Sequence, residues 1–281
     1  MPTTPASYPS DLSEAQWKLV APLIPVPQSY GRPREYGLRE IVNAIFYVLR
    51  SGCSWRMLPH DFPPWGTVYH YFRRWSKDGV FEQMNAQLRA DLRERLGRSR
   101  EASASIIDSQ SVKITDRGGE HGYDGGKKTN GRKRHILVDT LGLLLKIKVH
   151  AANITDREGA KLLLSKLQKE HSNVKLVWTD MGYSGADFAN WVQEETGWKV
   201  QTIQRPRKWI RVREGEEPPP RPPEPAGFTI LPRRWVVERS FAWMGKYRRL
   251  SKDYEGSLHH SESMAYLAMS RLMLNRISIK H

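Results

Sequence analysis

The spacing of apolar residues changes once along this chain of 281 residues, close to Arg100, and that change limits the folds open to it. From residue 10 to residue 97 the apolar residues recur at helical spacing, whereas after Arg100 they alternate with a period of two. The first pattern is typical of helices and the second of strands. We therefore predict an all-α domain over residues 1–100, followed by an α/β domain over residues 101–281.

Two helical segments of the N-terminal domain are predicted to form a pair that resembles a helix-turn-helix. The first covers residues 38–50 and the second begins after Pro64, with a turn of roughly ten residues between them. In such a pair the second helix enters the major groove of DNA. The side chains expected on its outer face, as DNA-binding residues, are Thr67, His70, Arg73 and Arg74. An ordinary helical bundle with a solvated basic face is the alternative.

The α/β domain is predicted to contain elements in the order βββαβαβ, followed by a terminal helix. Its first strand, residues 105–114, carries Asp108 where an apolar residue is expected, and its fourth strand, residues 174–180, ends in Asp180. If these strands are parallel neighbours in a mixed sheet, the two aspartates lie side by side. Burying both carboxylates unpaired costs several kcal/mol, and a divalent cation would remove that cost.

A third acid, Glu238, lies on a helix predicted after a proline-rich segment. Residues 206–227 hold seven of the 18 prolines and are predicted to form an extended, exposed insertion. At 100° per residue the apolar stripe of the following helix lies opposite Glu238, which shares its own face with Arg234. The alternative is a solvated face on which Glu238 and Arg234 form a weak surface ion pair.

The chain carries 45 Lys and Arg against 30 Asp and Glu, a net charge of +15, which indicates a polyanionic partner. No apolar run approaches the ~18 residues of a spanning helix, and the first residues lack the pattern of a secretory signal. We therefore expect a soluble, intracellular protein that binds nucleic acid and no membrane. A single cysteine, Cys53, excludes an internal disulfide.

Basic residues cluster near the predicted second strand and on the helix of Glu238, and we predict that they form a track for DNA phosphates. These residues are Lys127, Lys128, Arg132, Lys133, Arg134, Arg234, Lys246, Arg248 and Arg249. For each of them a solvated surface charge is the alternative. Four further polar residues are expected to have structural roles, namely Asp116, Asp139, Asp156 and His150.

The three acids lie in segments of distinctive sequence, which are IIDSQSVK around Asp108, VWTDMGYSG around Asp180 and RRWVVERSFAWMGKYRRLSKDYE around Glu238. Three further blocks are LSEAQWKLVAPLIP, SGCSWRMLPHDFPPWGTVYHYFRRW and KKTNGRKRHILVDTLGLLL. Together, and in this order along nearly the whole chain, these segments resemble the DDE transposases of bacterial insertion sequences, most strongly the insertion-sequence-five group.

The resemblance implies an RNase H-like mixed sheet flanked by helices, with Asp108, Asp180 and Glu238 as catalytic and metal-binding residues. It implies two Mg²⁺ ions, for which Mn²⁺ can substitute, with Asp108 bridging both ions, Asp180 holding one and Glu238 the other. The implied activity is binding of the terminal inverted repeats, hydrolysis at the element's ends and joining of the 3′-OH to target DNA by transesterification. The expected partner is double-stranded DNA, bound by a homodimer in the bacterial cytoplasm and associated with the nucleoid.

Two other functions remain open at this point. One is a sequence-specific DNA-binding regulator derived from a transposase, in which the helical domain binds DNA and the catalytic domain is inert. The presence of all three acids argues against it. The other is a metal-dependent nuclease without strand transfer. A reaction with Mg²⁺ and DNA that carries terminal inverted repeats distinguishes the three functions by their products.

Overall fold

The structure is a computed structural model that describes residues 7–25, 35–116, 118–165, 167, 170–203 and 234–278. The predicted proline-rich insertion at 206–227 lies outside the described residues. The N-terminal helices are α1 (Glu14–Val20), α2 (Leu38–Ser51), α3 (Trp65–Lys77) and α4 (Val80–Arg95). Ser13 begins α1 with a capping box, in which its Oγ accepts the Gln16 N–H while the Gln16 side chain accepts the Ser13 N–H. Gly52 ends α2 in the left-handed conformation, with φ of 74°.

The remaining elements have the order ββββαβαβαα among the described residues, so strands begin where the apolar spacing changes, as predicted. The strands are β1 (Ala104–Lys113), β2 (Gly122–Asp124), β3 (Thr129–Asp139), β4 (Leu144–Ala151), β5 (Leu176–Thr179) and β6 (Lys199–Thr202). The helices are α5 (Asp156–Leu164), α6 (Ala186–Thr196), α7 (Arg234–Gly245) and α8 (Leu258–Ser278). The sequence does not predict β2, because three residues are too few to show a period of two.

One mixed sheet contains all the described strands. β3 lies between β1 on one side and both β2 and β4 on the other, and it is antiparallel to all three. β1 pairs in parallel with β5, which pairs in parallel with β6. The first and fourth predicted strands, β1 and β5, are therefore parallel neighbours, which is the condition under which the sequence places the two aspartates side by side. This mixed sheet with helical cover confirms the predicted fold class.

Helices cover both faces of the sheet, and alternate residues of β1 point to opposite faces. Ile106 belongs to the cluster of buried side chains that includes α7, α8 and the N-terminal helices. Its neighbour Ile107 belongs to a second cluster, formed with α5 and α6. By the same alternation Asp108 lies on the face of α7, and Ser109 lies on the face of α5.

The N-terminal helices and the sheet share one hydrophobic core. α8 packs along α4 and also contacts β4, so the C-terminal helix joins the two predicted domains. A buried ion pair between Arg93 of α4 and Asp139 at the end of β3 makes a second connection. Asp139 Oδ1 also accepts the N–H groups of Leu141 and Leu143, each at 2.9 Å, which is the structural role expected for it. The domain division at residue 100 stays a prediction.

A bilayer cannot be crossed by any helix in the described ranges, since none combines the required length with the required apolar character.

Candidate active site

The sheet brings Asp108 and Asp180 to facing positions. The last backbone pair recorded between β1 and β5 joins Ile106 to Trp178. The same register continued by two residues places Asp108, in the middle of β1, opposite Asp180, the residue that follows β5. Both side chains lie on the sheet face that α7 covers, by the alternation of strand side chains. The predicted proximity of the two aspartates therefore follows from a parallel register.

Local structure orients the Asp180 carboxylate. Asp180 follows β5 with an extended backbone and begins a short 3-10 turn, Met181–Tyr183. Its Oδ1 accepts the Gly182 N–H at 2.9 Å. A carboxylate that caps a turn in this way has one oxygen occupied, and its other oxygen remains available for a cation.

The environment of Asp108 disfavours its charged form. Burial is the largest effect, and together with the negative charge of Asp180 it raises the pKa of Asp108 to about 6. The Ser109 N–H, which donates to Asp108 Oδ1 at 2.7 Å, opposes this shift, as do the charges of Arg234 and Lys127. A buried carboxyl group whose pKa is raised beside a second carboxylate is typical of sites that receive a cation or a proton.

An arginine links Glu238 to Asp180. α7 packs against β1, and Arg234 at its first turn lies between the acids. The Arg234 guanidinium is 3.5 Å from Asp180 Oδ2 at Nη2 and 3.3 Å from Glu238 Oε1 at Nε. The ion pair of Arg234 with Glu238, which the sequence left as the alternative, is present, but the same guanidinium also reaches a candidate catalytic acid. The side chain of Glu238 is 58% exposed.

The three acids supply hard oxygen donors, which suit Mg²⁺ or Mn²⁺. Across the described ranges, no three His, Cys, Asp or Glu side chains are arranged so that they could share one ion. The cation that neutralises Asp180 and Glu238 here is Arg234. The donor chemistry therefore fits a divalent metal, and an ion shared by all three acids would need Glu238 and Arg234 to rearrange.

Several predicted DNA-binding residues lie at the surface. On α3, His70, Arg73 and Arg74 are exposed and Thr67 is half-buried, and elsewhere Lys127, Lys128, Lys246 and Arg248 are exposed. The Lys127 Nζ also donates to the Ser109 carbonyl oxygen at 3.2 Å, close to Asp108. These positions are open to a DNA backbone.

Arg132 and Arg134 of β3 are buried, so the prediction that they contact DNA does not hold for them. Arg132 Nη1 lies 3.0 Å from Asp253 Oδ1, and Arg134 donates to the carbonyl oxygens of Leu250 and Lys252 at 2.8 and 3.1 Å. The two arginines point to the α8 face, and their side chains are at most 2% exposed. They tie the loop before α8 to the sheet.

Lys133 and Arg249 are also buried, so the prediction that they contact DNA does not hold for them either. Lys133 Nζ lies 3.0 Å from Asp156 Oδ1, on the face of α5. Arg249 Nε donates to Glu255 Oε1 at 2.7 Å, and its Nη1 donates to the Cys53 carbonyl oxygen at 3.0 Å. Because helices cover both faces of the sheet, the run of cations in β3 is buried, with Arg132 and Lys133 in ion pairs and Arg134 bound to backbone carbonyl oxygens.

Asp156 was expected to serve only as an acid at a helix start, and the structure adds a contact to β1. Ser109 Oγ donates to Asp156 Oδ1 at 2.9 Å. Burial alone would raise the pKa of Asp156, but the hydrogen bonds from Lys133 and Ser109 outweigh it and lower the pKa. The sequence signal for this contact is Ser109, a serine on the same face of β1 as the core residue Ile107.

Asp108→Asn is expected to stabilise the metal-free protein at pH 8. The pKa of Asp108 rises from 3.8 to about 6 on folding, so its stabilising contribution is complete below about pH 4 and is lost as the pH rises through 6. The neutral amide avoids this loss. We therefore expect the free energy of unfolding of the variant at pH 8 to be about 2 kcal/mol higher than that of the wild type, after allowance for solvent screening of a half-buried group. Thermal unfolding in EDTA at pH 8 and pH 4 measures the difference. A Tm at pH 8 that is lower for the variant than for the wild type contradicts the prediction. The control is Asp116→Asn, because Asp116 is exposed.

Comparison with known proteins agrees with these features. A family model described as "Transposase DDE domain" matches residues 99–273, more than half of the chain. A second, described as "Putative transposase of IS4/5 family", matches residues 12–85. The chain is 26% identical over 113 residues to the insertion element IS402 uncharacterized 16.2 kDa protein of Burkholderia cepacia, an alignment that covers 38% of this chain and 76% of that protein. No solved structure matches the chain.

The DDE-domain match spans the whole sheet and all three acids. Domains of this family generally use divalent metals, which agrees with the carboxylate donors of the site. The mixed sheet, the order of its strands and the match over most of the chain lead to one conclusion, which the sequence segments also indicated: the chain belongs to the DDE-domain transposases.

Proposed function

We propose that this chain binds the terminal inverted repeats of its own element, hydrolyses a phosphodiester bond at each end and joins the freed 3′-OH to target DNA. The observation that carries this proposal is the facing pair of Asp108, within β1, and Asp180, directly after the parallel strand β5, with Arg234 linking Asp180 to Glu238. A pair of ends has to be processed together, so we propose a homodimer on DNA, with one active site for each end.

Asp108, Asp180 and Glu238 would hold the divalent ions, two Mg²⁺ or Mn²⁺ in our proposal. When bound, such ions neutralise charge on the phosphate and lower the pKa of the attacking water. Asp108 must be ionised to take part, so its pKa of about 6 places the competent form above that pH. Arg234 neutralises Asp180 and Glu238 beforehand. Once displaced, its guanidinium is available to donate two hydrogen bonds to phosphate oxygens.

The proposed reaction needs no covalent bond to the protein. In the first step water attacks phosphorus and the 3′ oxygen leaves, which produces a 3′-OH at the end of the element. In the second step this hydroxyl attacks a target phosphodiester, so that one P–O bond forms and one breaks. Lys127, next to Asp108, is positioned to contact a phosphate oxygen in both steps.

The exposed face of α3 is the proposed surface for the inverted repeats. His70, Arg73 and Arg74 lie on it, with Thr67 at its edge, and α3 contains no acidic residue. The opposite side of the helix is buried through Val68 and Phe72 among others, which leaves this basic face free for DNA. Lys127, Lys128, Lys246 and Arg248 extend the proposed contacts on the catalytic side.

Arg73→Ala is expected to weaken binding to an inverted-repeat duplex several-fold and to make the salt dependence shallower. Loss of one phosphate contact reduces the slope of log K against log salt concentration by about one. Fluorescence anisotropy titrations at several KCl concentrations measure both effects. The control is Arg100→Ala, because Arg100 is an exposed arginine already paired with Asp91 and Glu94. Equal effects of the two variants contradict the assignment of α3 to DNA.

The cleavage and joining reaction tests the whole proposal. The purified chain is incubated with Mg²⁺, a duplex that ends in the terminal inverted repeat and a target plasmid. Joined products support the proposed transposition. Cut ends without joining indicate a nuclease, and bound but uncut DNA indicates a DNA-binding regulator.

A further inference from the structure

Three buried polar side chains form a hydrogen-bonded chain on the α5 face of the sheet. His150 Nδ1 lies 2.8 Å from the Ala151 carbonyl oxygen, and His150 Nε2 lies 2.8 Å from His135 Nδ1. His135 Nε2 in turn lies 3.0 Å from the Tyr183 hydroxyl. His135, His150 and Tyr183 are at most 2% exposed. None of the proposed steps of catalysis uses them.

One placement of protons on the two imidazoles and the tyrosine hydroxyl satisfies all three hydrogen bonds. A carbonyl oxygen only accepts, so His150 Nδ1 carries a proton and its Nε2 accepts from His135 Nδ1. His135 Nε2 therefore accepts from the Tyr183 hydroxyl. Burial is the largest cause that holds the pKa of His135 well below its usual range, so both rings stay neutral. Each bond of the chain then has a fixed direction.

The two imidazole rings of this hydrogen-bonded chain have little room to adopt a second orientation. Gly159 of α5 closes over the two imidazoles, and a Cβ at this position would lie 2.4 Å from His135 Cε1 and 2.4 Å from His150 Nε2. Such a contact is shorter than any real Cβ makes, so the helix approaches the rings as closely as a glycine allows. The rings are therefore held in place from α5 as well as by their hydrogen bonds.

This hydrogen-bonded chain connects the turn that follows Asp180 to β3, which pairs with the strand that carries Asp108. Tyr183 is the last residue of the turn that begins directly after Asp180. His135 pairs across β3 and β1 with Ser109, the neighbour of Asp108. The Tyr183 to His135 hydrogen bond thus spans from the turn of Asp180 to the strand beside Asp108.

Backbone pairing does not extend to the level of the acids. The recorded pairs of β1 with β5 end at Ile106 and Trp178, two residues before Asp108 and Asp180. Beyond that point side-chain contacts have to determine the separation of the two carboxylates. Tyr183 makes such a side-chain contact, because its hydroxyl donates to His135 Nε2.

We infer that Tyr183 and His135 are positioning residues that set the separation of Asp108 and Asp180, and thereby the affinity of the site for a divalent ion. The inference rests on the proposed function of those acids. Apolar side chains would fill the same volume, but only a directional hydrogen bond fixes the turn relative to the strand. Supporting groups of this kind typically change metal affinity by about 10- to 100-fold when removed.

Tyr183→Phe tests the inference because it removes the hydroxyl and keeps the ring. We expect the Mn²⁺ concentration for half-saturation of the full chain, measured by electron paramagnetic resonance of free Mn²⁺, to rise about tenfold. The cleavage rate at saturating Mn²⁺ is expected to stay within about threefold of the wild-type rate, because the acids themselves are unchanged. A structural role alone would lower the Tm without moving the half-saturation point.

Tyr266→Phe is the matched control. Its hydroxyl is also buried, donates to Glu82 Oε1 at 3.0 Å and accepts the Ile147 N–H at 3.4 Å, away from the acids. We expect a comparable loss of Tm and unchanged Mn²⁺ affinity. Unchanged Mn²⁺ affinity in Tyr183→Phe, or equal weakening in both variants, overturns the inference. Failure of the wild-type chain to cleave DNA would instead remove the proposed function, while a Mn²⁺ shift specific to Tyr183→Phe would still support the positioning role.

Discussion

Asp108→Asn is expected to abolish cleavage and joining of DNA while DNA binding is retained. The amide has the shape of the carboxylate but lacks the negative charge that a divalent ion requires. Asp108 is the acid that faces Asp180 and lies deepest in the site. Loss of such a ligand removes several kcal/mol of transition-state stabilisation, so the rate should fall by at least about 10³-fold.

The measurement compares cleavage of an inverted-repeat duplex with binding of the same duplex. Cleavage is followed on denaturing gels at saturating Mg²⁺, and binding is followed by anisotropy. Asp116→Asn is the control, since Asp116 is an exposed acid eight residues further along the chain. A variant at position 108 that still cleaves at near the wild-type rate would remove Asp108 from the proposed metal site, and with it the mechanism.

Asp253→Ala is expected to destabilise the protein by about 3 to 5 kcal/mol, a large part of the stability of a typical domain. Asp253 is buried, and its Oδ1 accepts from Arg132 Nη1 at 3.0 Å, from Ser261 Oγ at 2.8 Å and from the Glu255 N–H at 3.1 Å. Removal of the carboxylate leaves the guanidinium of Arg132 buried without its counter-charge. That uncompensated charge is the source of the large loss.

Urea unfolding followed by circular dichroism measures this loss as a change in the free energy of unfolding. The control is Asp91→Ala, which removes a surface partner of Arg100 at 3.0 Å. An exposed pair of this kind contributes at most about 1 kcal/mol, because water screens the charges. Similar losses in the two variants would show that the Arg132 to Asp253 pair contributes no more than a surface contact.

Periodicity carried most of the fold prediction, because it reports which side of an element is buried. The alternation around Asp108 predicted a strand with a carboxylate on its inward face, and the structure has β1 at that position. The sequence placed Asp108 and Asp180 side by side on the condition that their strands are parallel neighbours, and β1 and β5 meet that condition. The short strand β2 was missed, since its pairing with β3 depends on contacts distant from any local pattern.

The basic residues show where a sequence pattern is insufficient. Arg132 and Arg134 belong to a run of cations that is indistinguishable in sequence from a DNA-binding surface. In the folded chain they lie under α8, where Asp253 and backbone carbonyl oxygens neutralise or bind them. An isolated segment contains no information on which distant acid or carbonyl will face it, so burial of these charges could not be predicted.

The family, the mixed sheet and the three candidate acids were determined by the sequence alone, because residue type and spacing are properties of local segments. The tertiary structure decided which cations reach solvent and that Arg234 lies between Asp180 and Glu238. It also decided that Tyr183 and His135 join the turn of Asp180 to β3. The contacts made by Arg234 and Tyr183 connect residues up to 54 positions apart, as from Asp180 to Arg234, and only the packing of helices against both faces of the sheet brings them together.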